Sequence, residues 1–196
     1  MTWKTKGIFW YYLDHYFHSC SRFDIHSPFV YKLYSKVFKD HKEYPEYLPL
    51  KKHFPELNQR ERRYYRLLFR LSAWFKPTAI WITGREENAE KAYLHSGYPE
   101  TRIITLNLKP EEKVDMVFID LEFIREPINK CFSLFQQHIS DESVFIIWSI
   151  KNPGALKDSW NTIRNLPGTT LTIDLFRIGL VFFNSNLSRE DFKFRF

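Results

Sequence analysis

The hydrophobic positions of this 196-residue chain change period near residue 78. Before that point they recur at helical spacing; after it, short apolar runs alternate with helical ones. Ile8, Phe9, Tyr12, Leu13, Tyr16 and Phe17 predict a first helix over residues 4–21. Ser27 offers an oxygen to the free N–H groups of a helix start, and Pro28 suits a first helical position, whose N–H needs no partner. A second helix is therefore expected from Pro28 to Lys39. Pro45, Pro49 and Pro55 predict a connection without long helix. A third helix is expected over 57–75, with Tyr64, Leu67, Leu68, Leu71, Trp74 and Phe75 on its apolar face and Arg62, Arg63, Arg66 and Arg70 opposite.

Beyond Pro77, TAIWIT (78–83), TRIITLN (101–107), KVDMVFID (113–120) and SVFIIWSI (143–150) read as buried strands. Residues 86–97, ended by Gly97, and 127–139 and 154–166 read as helices. TTLTIDLF (169–176) and IGLVFFN (178–184) are closely joined and predict an antiparallel hairpin. The alternation predicts an α/β fold, a mostly parallel sheet with an antiparallel C-terminal hairpin. It divides the chain into an N-terminal helical extension, 1–78, and a core, 79–196. One junction breaks the rhythm. Only LKPEE (108–112) separates the second and third strands, whereas a parallel crossover takes about a dozen residues or more. If both strands belong to one parallel sheet, a helical connection is missing.

Composition narrows the picture modestly. A hydrophobic share of 44% supports a packed core, and 18% aromatics favour large rigid contacts or an aromatic interaction face. A net charge of +6 is compatible with nucleic acid, an anionic surface or an acidic partner, without choosing among them. Cys20 and Cys131 stand far apart in no metal-ligand spacing, as expected of a reduced, cytoplasmic protein. The apolar run 7–13 after Lys4 and Lys6 is short for a secretory signal, and no stretch approaches a membrane span. Gly-x-Ser-x-Gly, Walker and Cys-x-x-Cys motifs do not occur.

The candidate chemistry is sparse. The arginine face of the third helix, with Lys51, Lys52 and Arg60 nearby, could contact phosphates; the plainer reading is a solvated face. His26, just before the Ser-Pro cap, is a candidate cleft residue, or packs beneath the second helix. His15 and His18 share a helical face near Cys20, but no second ligand cluster accompanies them and no metal site is expected. The aromatic first helix could pack on its own core or on a partner.

Two segments, IHSPFVYKLY (25–34) and TIDLFRIGLVFF (172–183) followed by the terminal FKFRF, resemble class I S-adenosylmethionine (SAM)-dependent methyltransferase-like proteins of Bacteroidetes-type bacteria. The resemblance implies a Rossmann-like methyltransferase core behind N-terminal helices, with one helix–strand unit missing. It also implies where a cofactor would sit, and there the chain departs from the pattern. Gly84 matches the first glycine of the cofactor turn, Ile82 takes the acidic place and Asn88 the second glycine place. Asn107 stands where a ribose-binding acid is usual, and Asp120 matches a family aspartate. Trp148 and Ser149 replace a pair of aspartates. The reading favours vestigial cofactor positions at Gly84, Asn107 and Asp120, no catalytic residue, no cofactor, and a binding or scaffold role with a protein partner or a second copy. A minimal active SAM-dependent transferase, and a nucleic-acid-associated protein using the arginine helix, stand as alternatives.

Overall fold

The structure, a computed structural model, describes residues 3–83, 88–105, 112–124, 126–149 and 152–196. The helical first part holds α1 (Trp3–Phe17), a short turn at Arg22–Asp24, α2 (Pro28–Leu33) running on through a wider turn at Tyr34–Phe38, α3 (Tyr47–His53) and α4 (Gln59–Phe75). Ser27 caps α2 as expected, its Oγ accepting the Val30 N–H at 3.4 Å. α4 opens on a reciprocal cap, in which Asn58 Oδ1 accepts the Glu61 N–H and Glu61 Oε2 accepts the Asn58 N–H, each at 3.0 Å. It closes on Lys76, held in the left-handed region at φ 48°.

α3 was not expected, because Pro49 lies within it. The first turn of a helix has N–H groups with no intrahelical acceptor, so a proline there removes nothing the helix uses.

β1 (Ala79–Thr83), α5 (Ala89–Gly97), β2 (Arg102–Thr105), β3 (Val114–Asp120), α6 (Ile128–Phe135), β4 (Ile139–Trp148), α7 (Pro153–Arg164), β5 (Leu171–Asp174), β6 (Ile178–Phe182) and β7 (Glu190–Lys193) complete the fold. The sheet order is β2-β1-β3-β4-β6-β5-β7. β2 and β3 both pair with β1 in parallel, one on each side, and β4 continues in parallel beside β3. β2 ends at Thr105 and β3 begins at Val114; the short junction between them, where a helix–strand unit was expected to be missing, lies mostly outside the described residues. β6 is antiparallel to β4 and β5, which gives the expected hairpin. β7 is an added strand, parallel to β5.

Each strand sends alternate side chains to opposite faces. Ile80, Ile82, Met116, Phe118, Ile146 and Leu180 pack with α2, α4 and α5 residues such as Val30, Leu67, Leu71 and Leu94. Trp81, Val117, Ile119, Phe145, Ile147 and Val181 pack with Phe132 and Phe135 of α6 and Leu156 and Ile163 of α7. The N-terminal helices thus share one core with the sheet.

Gly97 has a different role from a left-handed helix end. The cap residue, Tyr98, is extended, and a Cβ on Gly97 would collide with the Phe69 carbonyl oxygen and lie 3.0 Å from Ser72 Cβ. The glycine lets α5 lie directly against α4.

Candidate functional site

The register brings Thr83, Asp120 and Trp148 to one end of the sheet, the carboxyl end of its parallel strands. Because β6 runs the other way, with Ile178 opposite Trp148, the β5–β6 turn at 175–177 lies there too. In open α/β sheets this is the end where ligands bind. Gly84 and Asn107 lie outside the described residues.

Asp120 is half-buried and engaged locally. Its N–H donates to Thr83 Oγ1 at 3.0 Å, and its Oδ1 accepts the Glu122 N–H at 2.9 Å, shaping the turn after β3. Ile82 is buried in the core. Asn88 caps α5, its Oδ1 accepting the Lys91 N–H at 2.9 Å. Trp148 is fully buried, with its ring centre 5.1 Å from Tyr65 and 5.7 Å from Phe118. The Tyr65 hydroxyl donates to Glu90 Oε1 at 2.9 Å, and burial followed by this carboxylate pushes the phenol well above its ordinary range.

α1 covers the β5–β6 turn. Tyr11 stacks on Phe176 at 5.0 Å and Tyr12 meets it edge-on at 5.4 Å. Phe176 has φ 72°, a rare conformation for a bulky residue, and its N–H donates to Asp174 Oδ1 at 2.8 Å. His15 Nε2 lies 3.3 Å from the same oxygen, an electrostatic contact without hydrogen-bond alignment. His18 is exposed and pairs with Asp14 instead, so the two histidines do not converge. Among the described residues, no three His, Cys, Asp or Glu side chains group to hold a metal. His26 is exposed before the α2 cap and borders none of the cavities described here.

Four of the five arginines of α4, Arg62, Arg63, Arg66 and Arg70, do come together. They line a cavity of about 700 Å³ between α4 and the segment 38–51, with Lys42 and Lys51. Arg70, only 7% exposed, donates through Nε to the Val37 carbonyl at 2.8 Å. Arg66 pairs with Glu43 at 2.6 Å and lies over the Tyr47 ring, 4.4 Å from its centre. Arg62 donates to the carbonyls of Pro55 at 3.1 Å and Lys51 at 3.5 Å. Arg63 lies over the Phe196 ring at 4.7 Å. Asp40 accepts the Tyr44 hydroxyl at 2.6 Å; this bond, more than burial, pushes Tyr44 up to about 12. Beyond Arg63 and Phe196, a second cavity of about 480 Å³ carries Arg60, Arg177, Tyr64 and Phe176. Neither Arg177, half-buried on the strained turn, nor the Tyr65–Glu90 pair carried a sequence signal, since each arises from elements distant in the chain.

The fold is a Rossmann-like methyltransferase fold, and solved structures bear this out. A methyltransferase from Geobacter sulfurreducens is similar over 75% of this chain and 92% of its own, with TM-score 0.55 and 11% identity. A putative caffeoyl-CoA O-methyltransferase from Staphylococcus aureus is similar over 79% and 97%, with TM-score 0.54 and 13% identity. An S-adenosylhomocysteine-bound methyltransferase from Podospora anserina is similar over 80% and 96%, with TM-score 0.52 and 8% identity. No family model and no curated protein matches the chain. Among the described residues no helix is long and apolar enough to cross a membrane.

Proposed function

We propose that this chain keeps the methyltransferase fold as a binding module and has lost SAM chemistry. The observation that carries the reading is Trp148. At the end of β4 an indole packs into the core against Tyr65 and Phe118, where the resembled family carries carboxylates. A neutral, buried ring neither holds a hard metal nor steers a polar substrate. Two further positions support it. Ile82 offers no acceptor in the acidic place, and one oxygen of the Asp120 carboxylate accepts the Glu122 N–H in its own turn. These described residues do not fit a SAM cradle, and no chemical step is assigned to them.

The kind of partner is read from α1, whose Phe9, Trp10, Tyr12, Tyr16 and Phe17 are exposed. Such a patch favours burial against a protein, either another chain or a second copy.

Calorimetric titration with SAM and with S-adenosylhomocysteine tests the proposal. The expected result is no heat up to millimolar ligand, with folding verified by circular dichroism. Saturable micromolar binding, abolished by Gly84→Trp, would overturn it and return the chain to the minimal transferase, with Gly84, Asn107 and Asp120 in its pocket.

A further inference from the structure

The geometry points to a separate ligand site in the arginine-lined cavity, one that takes a small molecule bearing a diphosphate group. It lies along α4 and stands whether or not the sheet end keeps a cofactor.

The charge balance is the first ground. Six cationic side chains line the cavity, against the side-chain carboxylates of Asp40 and Glu43, an excess of four positive side-chain charges. Arg62, Arg66 and Arg70 recur every fourth residue, which sets like charges in a row on one helix face. That spacing weakens a helix on its own. An anion seated between the guanidinium groups would turn the repulsion into attraction.

The second ground is preorganisation. Arg62 and Arg70 are held by backbone carbonyls, and Arg63 and Arg66 by aromatic faces. The carbonyl bonds occupy part of a fork of five N–H donors, and the ring faces leave the in-plane donors untouched. Side chains fixed before the ligand arrives lose little freedom on binding. Planar forks suit the paired oxygens of phosphate better than an ammonium does.

Shape is the third ground, and it favours a small molecule over a polymer. Arg70 sits at the buried end of the row, and the cavity of about 700 Å³ lies within the size range of small-molecule sites. A backbone-tracking nucleic-acid surface would spread its cations along an open groove.

Inorganic pyrophosphate is the probe. At about 0.15 M ionic strength, where exposed charges are well screened, it should bind saturably, one per chain, with micromolar affinity. Lys42 and Lys51 are exposed on the cavity wall, so Lys42→Gln/Lys51→Gln should keep the fold. That variant should bind about three-fold more weakly per lysine removed, the scale of a screened surface charge pair. Lys32→Gln/Lys36→Gln removes the same charge from exposed sites that border none of the described cavities, and should leave binding unchanged. Absence of saturable binding by the folded protein overturns the proposal, as does equal weakening in both double variants. A single-stranded RNA oligonucleotide that binds more tightly than pyrophosphate in the same buffer also overturns it, in favour of a nucleic-acid surface.

Discussion

Replacing Gly97 with alanine sets two effects against each other. Alanine is the better helix former by up to about 1 kcal/mol, and less at the last helical residue, where Gly97 stands. The added Cβ, however, would run into the Phe69 carbonyl oxygen while also crowding Phe69 C and Ser72 Cβ, each at 3.0 Å. The oxygen belongs to the α4 backbone and has no rotamer to yield, so α4 and α5 must separate. Overpacking of this kind costs about 1–3 kcal/mol, and it should win. For a chain of this length each kcal/mol moves the melting temperature by about 2–4 °C. Overpacking alone would lower the melting temperature of Gly97→Ala by about 2–12 °C, followed by far-ultraviolet circular dichroism, and alanine's helix preference trims that drop without reversing it. Gly154, in the first turn of α7, provides the contrast: its Cβ would meet Asn152 Oδ1 alone, at 3.3 Å. Gly154→Ala should melt at the native temperature or above. If Gly97→Ala proves as stable as the native chain, the close approach of the two helices is wrong.

Two further predictions concern the backbone and pH. Lys76→Gly should stabilise the chain by about 0.5–1 kcal/mol in denaturant titration, because the exposed α4 cap lies in the left-handed region, where glycine is unstrained; a loss of stability would count against the cap geometry. Burial, and then Asp174 for Tyr11 and Glu90 for Tyr65, hold both phenols protonated well above the ordinary value of about 10 at which they ionise when unfolded. The unfolded chain therefore loses these protons first, and stability present below about pH 10 should fall above it by about 1.4 kcal/mol per pH unit for each tyrosine. Melts across this range should show a shallower fall for Tyr11→Phe/Tyr65→Phe; an unchanged slope would refute the assignment.

Legibility from sequence followed the range of the interactions involved. β1, β3 and β4 were readable because each is apolar on both faces, and Ser27–Pro28 marked the start of α2 through contacts within one turn. Pro49 hid α3, since a proline in a first turn looks the same as one in a loop. β7 was hidden by its polar start, Glu190 and Asp191, although the period-two Phe192, Phe194 and Phe196 carry the signal of a strand end. Asn88 illustrates a local ambiguity: at a place where the resembled family has a glycine, it serves α5 as a cap. The arginine row was legible as a face but not as a cavity, because the opposing wall comes from Asp40, Lys42 and Glu43, some twenty or more positions upstream. His15 against Asp174 and Tyr65 against Glu90 were beyond reach for the same reason.

The seat of α1 bears on the order of synthesis. Phe176 lies beneath its Tyr11, and Asp174 beside its His15. Near its end, the Arg195 Nε donates to the Tyr16 carbonyl at 3.1 Å with its guanidinium over the Tyr16 ring, and the Cys20 N–H donates to the Lys193 carbonyl at 2.7 Å. α1 is thus fastened to strands that are synthesised well after it. Tyr11 lacks its native partner until Phe176 has emerged, and Tyr16 until Arg195 has. A nascent chain therefore carries α1 unseated until those strands are made, an apolar segment in need of shelter meanwhile.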